Sequence, residues 1–577
     1  MYRSNFEKGT TRWAVRRSQW RSMGIKEEDF DKPKIAVINT SSTLSSCYIH
    51  LDDVSKAVQQ AIREAGGLPF EVRTVAPSDF VTSAGRKARY LMPTRDLIVN
   101  EVEVMVEGAV LDGMICLSSC DKTTPAHLMA AARLNVPTIL LTCGYQIGGM
   151  CDKLGQFVDI DDVYESIGAV ECGHMSLDDL TEMTESAIQT PGVCAGLGTA
   201  NSMHIIAEAI GMSLPGNSPV LANSRRLYEY AQKAGERIVG LVNENVCPRD
   251  IITKEAVENA IMVTLAVGGS VNTVRHLSAV ATEAELDIDV VALYEKWSDR
   301  IRLLTAVRPN GPYRTEDLEV AGGTKAVMKR LESHLHLDIL TASGKTVREN
   351  ITDAVIKKEE VIRTLENPQS QKPGIAILRG NLAPDGSIVK LSAVPDEIHS
   401  FTGPANIFDG EDEAIEALGN GRIQRGDVVV LRGMGPMGGP GTVFAASFVA
   451  ALNGAGIAPF VAVITDGELS GLNRGIIVGQ LMPEAAAGGP LAVIKQGELV
   501  NIDLVNRKIS LSITEEELQS RLERWTPLQR ELKPSWLSQY AQLVQPIAQG
   551  AVLGKRKLSE KKVQGFEKKE ADLTKSK

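Results

Sequence analysis

No run of apolar residues in this chain approaches the roughly 20 that a helix needs to cross a bilayer. That sets aside a helical membrane protein. Cysteine is scarce, with eight in 577 residues, too few for a disulfide scaffold, so free thiols or metal ligands are the readings left. No two cysteines form a CxxC pair, which weakens a zinc-ribbon or thioredoxin reading. Basic residues are not in excess: 62 Lys and Arg stand against 72 Asp and Glu, a formal net charge of −10, which argues against nucleic acid as the main partner. The basic N-terminus lacks the apolar core of a secretory signal. The expectation is a cytoplasmic protein with no membrane partner, an organellar address being left open. No Gly-Lys-Ser/Thr follows a glycine-rich loop, no GxSxG elbow is present, and no internal repeat is evident.

What is present is an ordinary globular balance, 43% hydrophobic and 23% charged, in a chain long enough for two or more domains. The 51 glycines imply many tight turns. The organising stretch is 108–144. An apolar run (114–117) breaks into Ser118-Ser119-Cys120-Asp121-Lys122-Thr123-Thr124-Pro125, a helical stretch follows (126–134), and a second apolar run (136–141) leads to Thr142-Cys143-Gly144. That pattern predicts strand, loop, helix and strand, a parallel βαβ unit. Ligands bind such units at the carboxyl ends of the strands, where Cys120, Asp121 and Lys122 fall.

Upstream, 34–40 predicts a buried strand, 52–65 an amphipathic helix ending at Gly66-Gly67, FEVRTV a strand, and 93–108 a helix. Residues 1–32 read as an irregular arm, whose arginines (Arg3, Arg12, Arg16, Arg17, Arg21) reach a neighbouring subunit or lie in solvent. Residues 150–190 read as polar and helical, and 249–266 and 270–282 as further helices. The charged stretch 345–372 ends in NPQSQKPG, a linker pattern. Beyond Gly374, AILRGNL, GSIVKLSAV, DVVVLRG, FVAVITDG, PLAVIKQG, ELVNIDL and KISLSIT predict short strands between turns. The fold class expected is α/β, with an N-terminal parallel-sheet domain (33–365) and a smaller β-barrel-like C-terminal domain (374–552), preceded by the arm (1–32) and followed by a Lys- and Glu-rich, disordered tail (553–577).

Cys47, Cys120 and Cys194 each lie in a polar or glycine-rich loop beside a predicted strand or helix end. Taken singly, each reads as an inert small residue; converging, three thiolates would suit an iron–sulfur centre with an open iron position. Asp121 and Lys122 read either as an ion pair capping the next helix or, with Asp79, as ligands of a hard cation such as Mg²⁺. An unmodified lysine would repel that cation, whereas a carbamylated one carries an anionic oxygen. In the second domain Ser470 lies between Gly467 and Gly471 as nucleophile, base or turn residue. The loop Met434-Gly435-Pro436-Met437-Gly438-Gly439-Pro440-Gly441 could cradle a carboxylate or phosphate with its amides, and Arg379 opens a second such turn.

Together these residues resemble the dihydroxy-acid dehydratase / phosphogluconate dehydratase family, which includes the sugar-acid dehydratases. The resemblance runs from about Arg17 to Arg521. It rests on Cys47-Tyr48-Ile49-His50-Leu51, the 119–125 loop, 194–203, Gly268-Gly269-Ser270-Val271-Asn272, 379–386, Gly438-Gly439-Pro440-Gly441, 464–471 and 483–490. It implies an iron–sulfur cluster on Cys47, Cys120 and Cys194, with three retained cysteines favouring [2Fe–2S]. It implies Mg²⁺ on Asp79, Asp121 and carbamylated Lys122, Ser470 as base, and substrate contacts from Gly439, Gly441 and Arg379. The activity implied is dehydration of a 2,3-dihydroxycarboxylic acid to a 2-oxo acid by a homodimer or homotetramer. Local wording is nearer the branched-chain enzymes, with a sugar acid (aldonate) as the alternative. Three positions depart from the family pattern. The glutamate expected three residues after the GGPG glycine is Phe444, the loop's glutamate and lysine are Met434 and Met437, and a threonine is Leu472. Either another carboxylate substitutes, with Glu468 a candidate, or the substrate is less polar, or the chain is a weakly active or non-catalytic cluster-bearing paralogue.

Overall fold

Four of the apolar runs zip into one sheet. The computed structural model describes residues 2–82, 89–171, 173–439, 445–469, 475–527 and 533–554. Strands β1 (Lys34–Asn39), β2 (Leu68–Arg73), β3 (Gly113–Ser118) and β4 (Thr138–Thr142) are all parallel, in the order β2-β1-β3-β4. Every residue of β1, β3 and β4 is buried. Helices cover both faces of the sheet, so its strands are apolar throughout rather than alternating.

The helix Leu51–Glu64 buries Leu51, Val54, Val58, Ala61 and Ile62 on one stripe. Its chain turns through Gly66 (φ 89°), where only glycine avoids strain. The helix Thr123–Leu134 is buried for its first ten residues and stops at Asn135 in the left-handed region (φ 50°). It begins three residues before the predicted start, because the Thr123 hydroxyl and amide both close onto the Cys120 carbonyl.

Two expectations for this half need correction. Residues 1–32 are not irregular: Thr10 caps a helix, Thr11–Ser22, and the arm folds back on its own domain through Ser4 to Asp112 and Arg16 to the Ala109 carbonyl. Residues 150–190 begin with a hairpin of β5 (Gly149–Cys151) and β6 (Gln156–Val158) before the helices start.

The second domain is a closed eight-stranded barrel. Its strands are β7 (Ala376–Gly380), β8 (Ala383–Val389), β9 (Ser400–Phe408), β10 (Val428–Leu431), β11 (Ala462–Thr465), β12 (Ile477–Met482), β13 (Leu499–Asp503) and β14 (Lys508–Leu511), in the order β10-β11-β12-β8-β7-β14-β13-β9. Val428 and Val430 point into the barrel, while Val429 and Leu431 join the core shared with the first domain. Both faces are therefore covered here too, which explains the unbroken VVVL and AVIT runs. Sequence patterning missed β9, which carries Gly403 and Pro404, and β12, which is broken by a register shift between Gly479 and Met482. PLAVIKQG, expected as a strand, is a 3₁₀ turn over Pro490–Val493, started by its proline.

Candidate active site between sheet and barrel

The loop leaving β3 is fixed by its own hydroxyls and its neighbours. Ser119 Oγ donates to the Cys47 carbonyl at 2.6 Å, and the Ser119 amide donates to Thr123 Oγ1 at 3.1 Å. The Ser119 carbonyl meets His204 Nε2 at 2.9 Å. The Gly192 amide donates to the Ser46 carbonyl at 3.1 Å, tying the loop of Cys194 to the loop of Cys47. Asn201 Nδ2 donates to the carbonyls of Cys194 and Gly196, both at 2.8 Å. A side chain at Gly196 would run into the Asp161 carboxylate, so that close approach requires glycine.

These contacts bring the three loop cysteines together. Cys47 and Cys120 are buried and Cys194 is partly exposed. The hydrogen bond that the Cys120 thiol donates to Cys47, then burial, pushes the Cys120 thiol well up. Burial, followed by the charge of Cys120, does the same to Cys194. The Tyr48 hydroxyl reaches Cys120 and donates to the Pro77 carbonyl. Cys120 and Cys194 thus each feel another thiol's charge, a situation that a bound soft cation relieves.

The hard side of the site adjoins it. Burial, then the Asp121 carboxylate, raises Asp79 well above the ordinary range, and the two acids share a hydrogen bond. Lys122 is fully buried and pairs with Asp121 and, at 3.3 Å, with Glu468 Oε2. Burial alone would lower its pKa, but Asp121, Glu468 and Asp79 together raise it, so the unmodified side chain is an ammonium. Glu468 comes from the segment after β11 in the barrel domain. Its Oε1 lies 3.8 Å from Arg275 Nη1 and 3.9 Å from His276 Nε2. Burial, then the charges of Lys122, Arg95 and Arg275, keep His276 neutral. Asn272 Nδ2 donates to the Leu469 carbonyl at 2.9 Å, and Asn272 Oδ1 accepts from Gln480 Nε2.

The donor types suit the two groups the sequence implied: thiols for iron, carboxylates for a hard cation. Asp79 Oδ1 and both oxygens of Glu468 are buried and accept no hydrogen bond from a described residue, Glu468 having only its ion-pair contacts with Lys122, Arg275 and His276, so these oxygens have lone pairs to offer a cation. Among those residues no three His, Cys, Asp or Glu side chains already converge on one metal point. The carboxylates instead surround Lys122.

Around the residues expected to contact substrate, the structure shows partners within the protein. The glycine-rich loop does cradle carboxylates, but they are the protein's own. Asp466 accepts from the amides of Gly433, Met434 and Ala485, and Glu484 accepts from Met437 and Gly438. The Gly439 amide donates to the Gly435 carbonyl at 2.7 Å. Arg379 pairs with Glu295 at 3.0 Å and donates to the Pro384 carbonyl, contacts that do not bring it to the cysteines. Ser470, Gly441, Phe444 and Leu472 lie outside the described residues.

Sequence reasoning gave no role to Arg275, His276, Asp466 or Glu484. It also passed over Asp161, pushed up to about 8 by burial and Asp159, and Lys390, pulled down to about 7 by burial against Asp161. The ITDG and PEA stretches marked Asp466 and Glu484, but nothing in the sequence said whose amides they bind.

Two family models match the chain. Dihydroxy-acid/6-phosphogluconate dehydratase N-terminal covers residues 32–350, and Dihydroxy-acid/6-phosphogluconate dehydratase C-terminal covers residues 360–551.

Proposed function

The chain belongs to the dihydroxy-acid/6-phosphogluconate dehydratase family, and from that membership we propose that it dehydrates a 2,3-dihydroxycarboxylic acid to a 2-oxo acid, with a branched-chain dihydroxy acid as substrate. One observation supports the reading most: a single buried loop carries Cys120 beside Cys47 and Asp121-Lys122 against Glu468. By donor chemistry, Cys47, Cys120 and Cys194 would hold a [2Fe–2S] cluster, and Asp79, Asp121 and a carbamylated Lys122 would hold Mg²⁺. When bound, these groups supply Lewis acidity toward the substrate's carboxylate and hydroxyls. Carbamylation joins the neutral Lys122 amine to CO₂ and releases a proton, so the ammonium held by Asp121 must first lose its proton.

The chain's own residues do the rest. Ser470 Oγ takes the C2 proton, the C–H electron pair forms the C2=C3 bond, and the C3–O bond breaks. The departing hydroxyl takes up a proton and leaves as water, and the enol tautomerises to the 2-oxo acid. A serine acts as base only in a strong positive field. Arg275 is buried at this interface, where its charge is poorly screened. Asn272 holds the carbonyl of Leu469, the residue that precedes Ser470 in the chain.

Anaerobic reconstitution with iron, sulfide, Mg²⁺ and bicarbonate, then assay on a panel of dihydroxy acids, tests the reading. Formation of 2-oxo acid fastest from branched-chain substrates is expected. Preference for an aldonate would move the substrate to the sugar acids. Loaded protein with no turnover on any substrate would leave a non-catalytic paralogue, the reading that Phe444 motivates. We place the protein in the cytoplasm as a homodimer or homotetramer, which light scattering of the purified chain checks.

A further inference from the structure

We propose that Glu468, reaching across from the barrel domain, is the carboxylate ligand that completes the hard-cation site of Asp79, Asp121 and Lys122. This rests on the reading of that site given above. Three observations converge on it. Glu468 is fully buried, yet neither carboxylate oxygen accepts a hydrogen bond from a described residue. An ionised carboxylate so placed is costly unless a charge faces it. Its Oε2 lies 3.3 Å from Lys122 Nζ, the atom to which carbamylation would attach an anionic carboxylate group. Asp79 Oδ1, in the same cluster, is a second buried acceptor with no donor.

Charge decides between the two states of this group. With an amine at Lys122, Glu468 and Asp121 share its ammonium. With a carbamate, Asp79, Asp121, the carbamate and Glu468 become four anions facing Arg275 at 3.8 Å from Glu468. Only a multivalent cation balances that set. The position where the resemblance expects a glutamate is Phe444, and Glu468 lies 24 residues further along the chain.

The test is Mn²⁺ binding to the full-length protein pre-incubated with bicarbonate, read from the free-ion electron paramagnetic resonance signal. Glu468→Gln should weaken binding by at least about tenfold; affinity within twofold of wild type would overturn the assignment. In a Phe444→Glu background the same change should cost much less, because a second carboxylate is then available. An equal loss in both backgrounds would make Glu468 a distant charge rather than a ligand, and overturn ligation. If Glu468→Gln folds poorly, Glu468→Asp keeps the charge and should show an intermediate loss, with full affinity again overturning the proposal. Binding that depends on Glu468 without any turnover overturns only the dehydratase reading. Turnover with undiminished Mn²⁺ affinity in Glu468→Gln overturns only this one.

Discussion

Two loops, one in each domain, are built in opposite ways. In the loop after β3, backbone and hydroxyls do the holding, and the reactive side chains of Cys120, Asp121 and Lys122 are left for the site. In the glycine-rich loop after β10, side chains do the holding. Asp466 and Glu484 take up the amides of Gly433, Met434, Met437 and Gly438. Met434 is buried in the shared core, and Met437 packs with Tyr540 and Val544. Thus the first loop leaves its polar side chains to the site, while the second engages its amides and carries the apolar Met434 and Met437. Carboxylate–amide anchoring depends on the backbone and not on the side chains at 434 and 437.

Four variants break or sharpen that contrast. Cys120→Ser should have the largest effect: loss of the iron–sulfur absorbance on reconstitution and at least about a 10³-fold fall in dehydration, as when one member of a catalytic unit is removed. Retained absorbance would dissociate this loop from the cluster. Asp466→Ala leaves three buried amides without their acceptor, and should cost about 3–5 kcal/mol in urea unfolding while the β3 loop's cysteine chemistry persists.

Glu484→Gln should act through pH. Burial pushes Glu484 up to about 7 from an ordinary 4.5, so the folded state binds its proton more tightly than the unfolded chain does. That contribution is complete below about pH 4.5 and is lost as pH rises through 7, which makes the slope of stability with pH negative in this window. The variant should flatten the fall in unfolding free energy between about pH 5 and 7.5, by no more than about 3 kcal/mol, as read from urea unfolding at each pH. An unchanged slope would mean that Glu484 is ionised throughout. Arg379→Ala should do least, at most about 1 kcal/mol from a half-exposed ion pair with Glu295, with kcat/KM within about twofold of wild type; a large fall in kcat/KM would return Arg379 to the substrate.

Much of the fold was legible because short apolar runs between helices admit few arrangements. The parallel sheet followed from the spacing of 34–40, 114–117 and 136–141, and the barrel from a series of brief strands after Gly374. What escaped were segments whose local chemistry opposes their role. β9 holds Pro404 in a strand, β12 hides its alternation behind a shift at Gly479, and PLAVIKQG has a strand's composition with a proline that starts a turn. The site was legible in the same uneven way. Cys47, Cys120, Cys194, Asp79, Asp121 and Lys122 announced themselves by loop context, but Arg275 and His276 lie in a helix, Thr273–Glu283, whose buried pattern looks like any core helix.

The sequence by itself determined the two-domain architecture and the residue types available to hold iron and a hard cation, since these follow from periodicity and from the identity of side chains. Only the tertiary structure decided which amides of the glycine-rich loop are already engaged, that Arg379 pairs with Glu295, and that Glu468 stands against Lys122. Those facts depend on the meeting of segments more than 300 residues apart in the chain, such as Lys122 and Glu468. No local pattern encodes such a distance, because the side chains meet only after both domains have closed their cores.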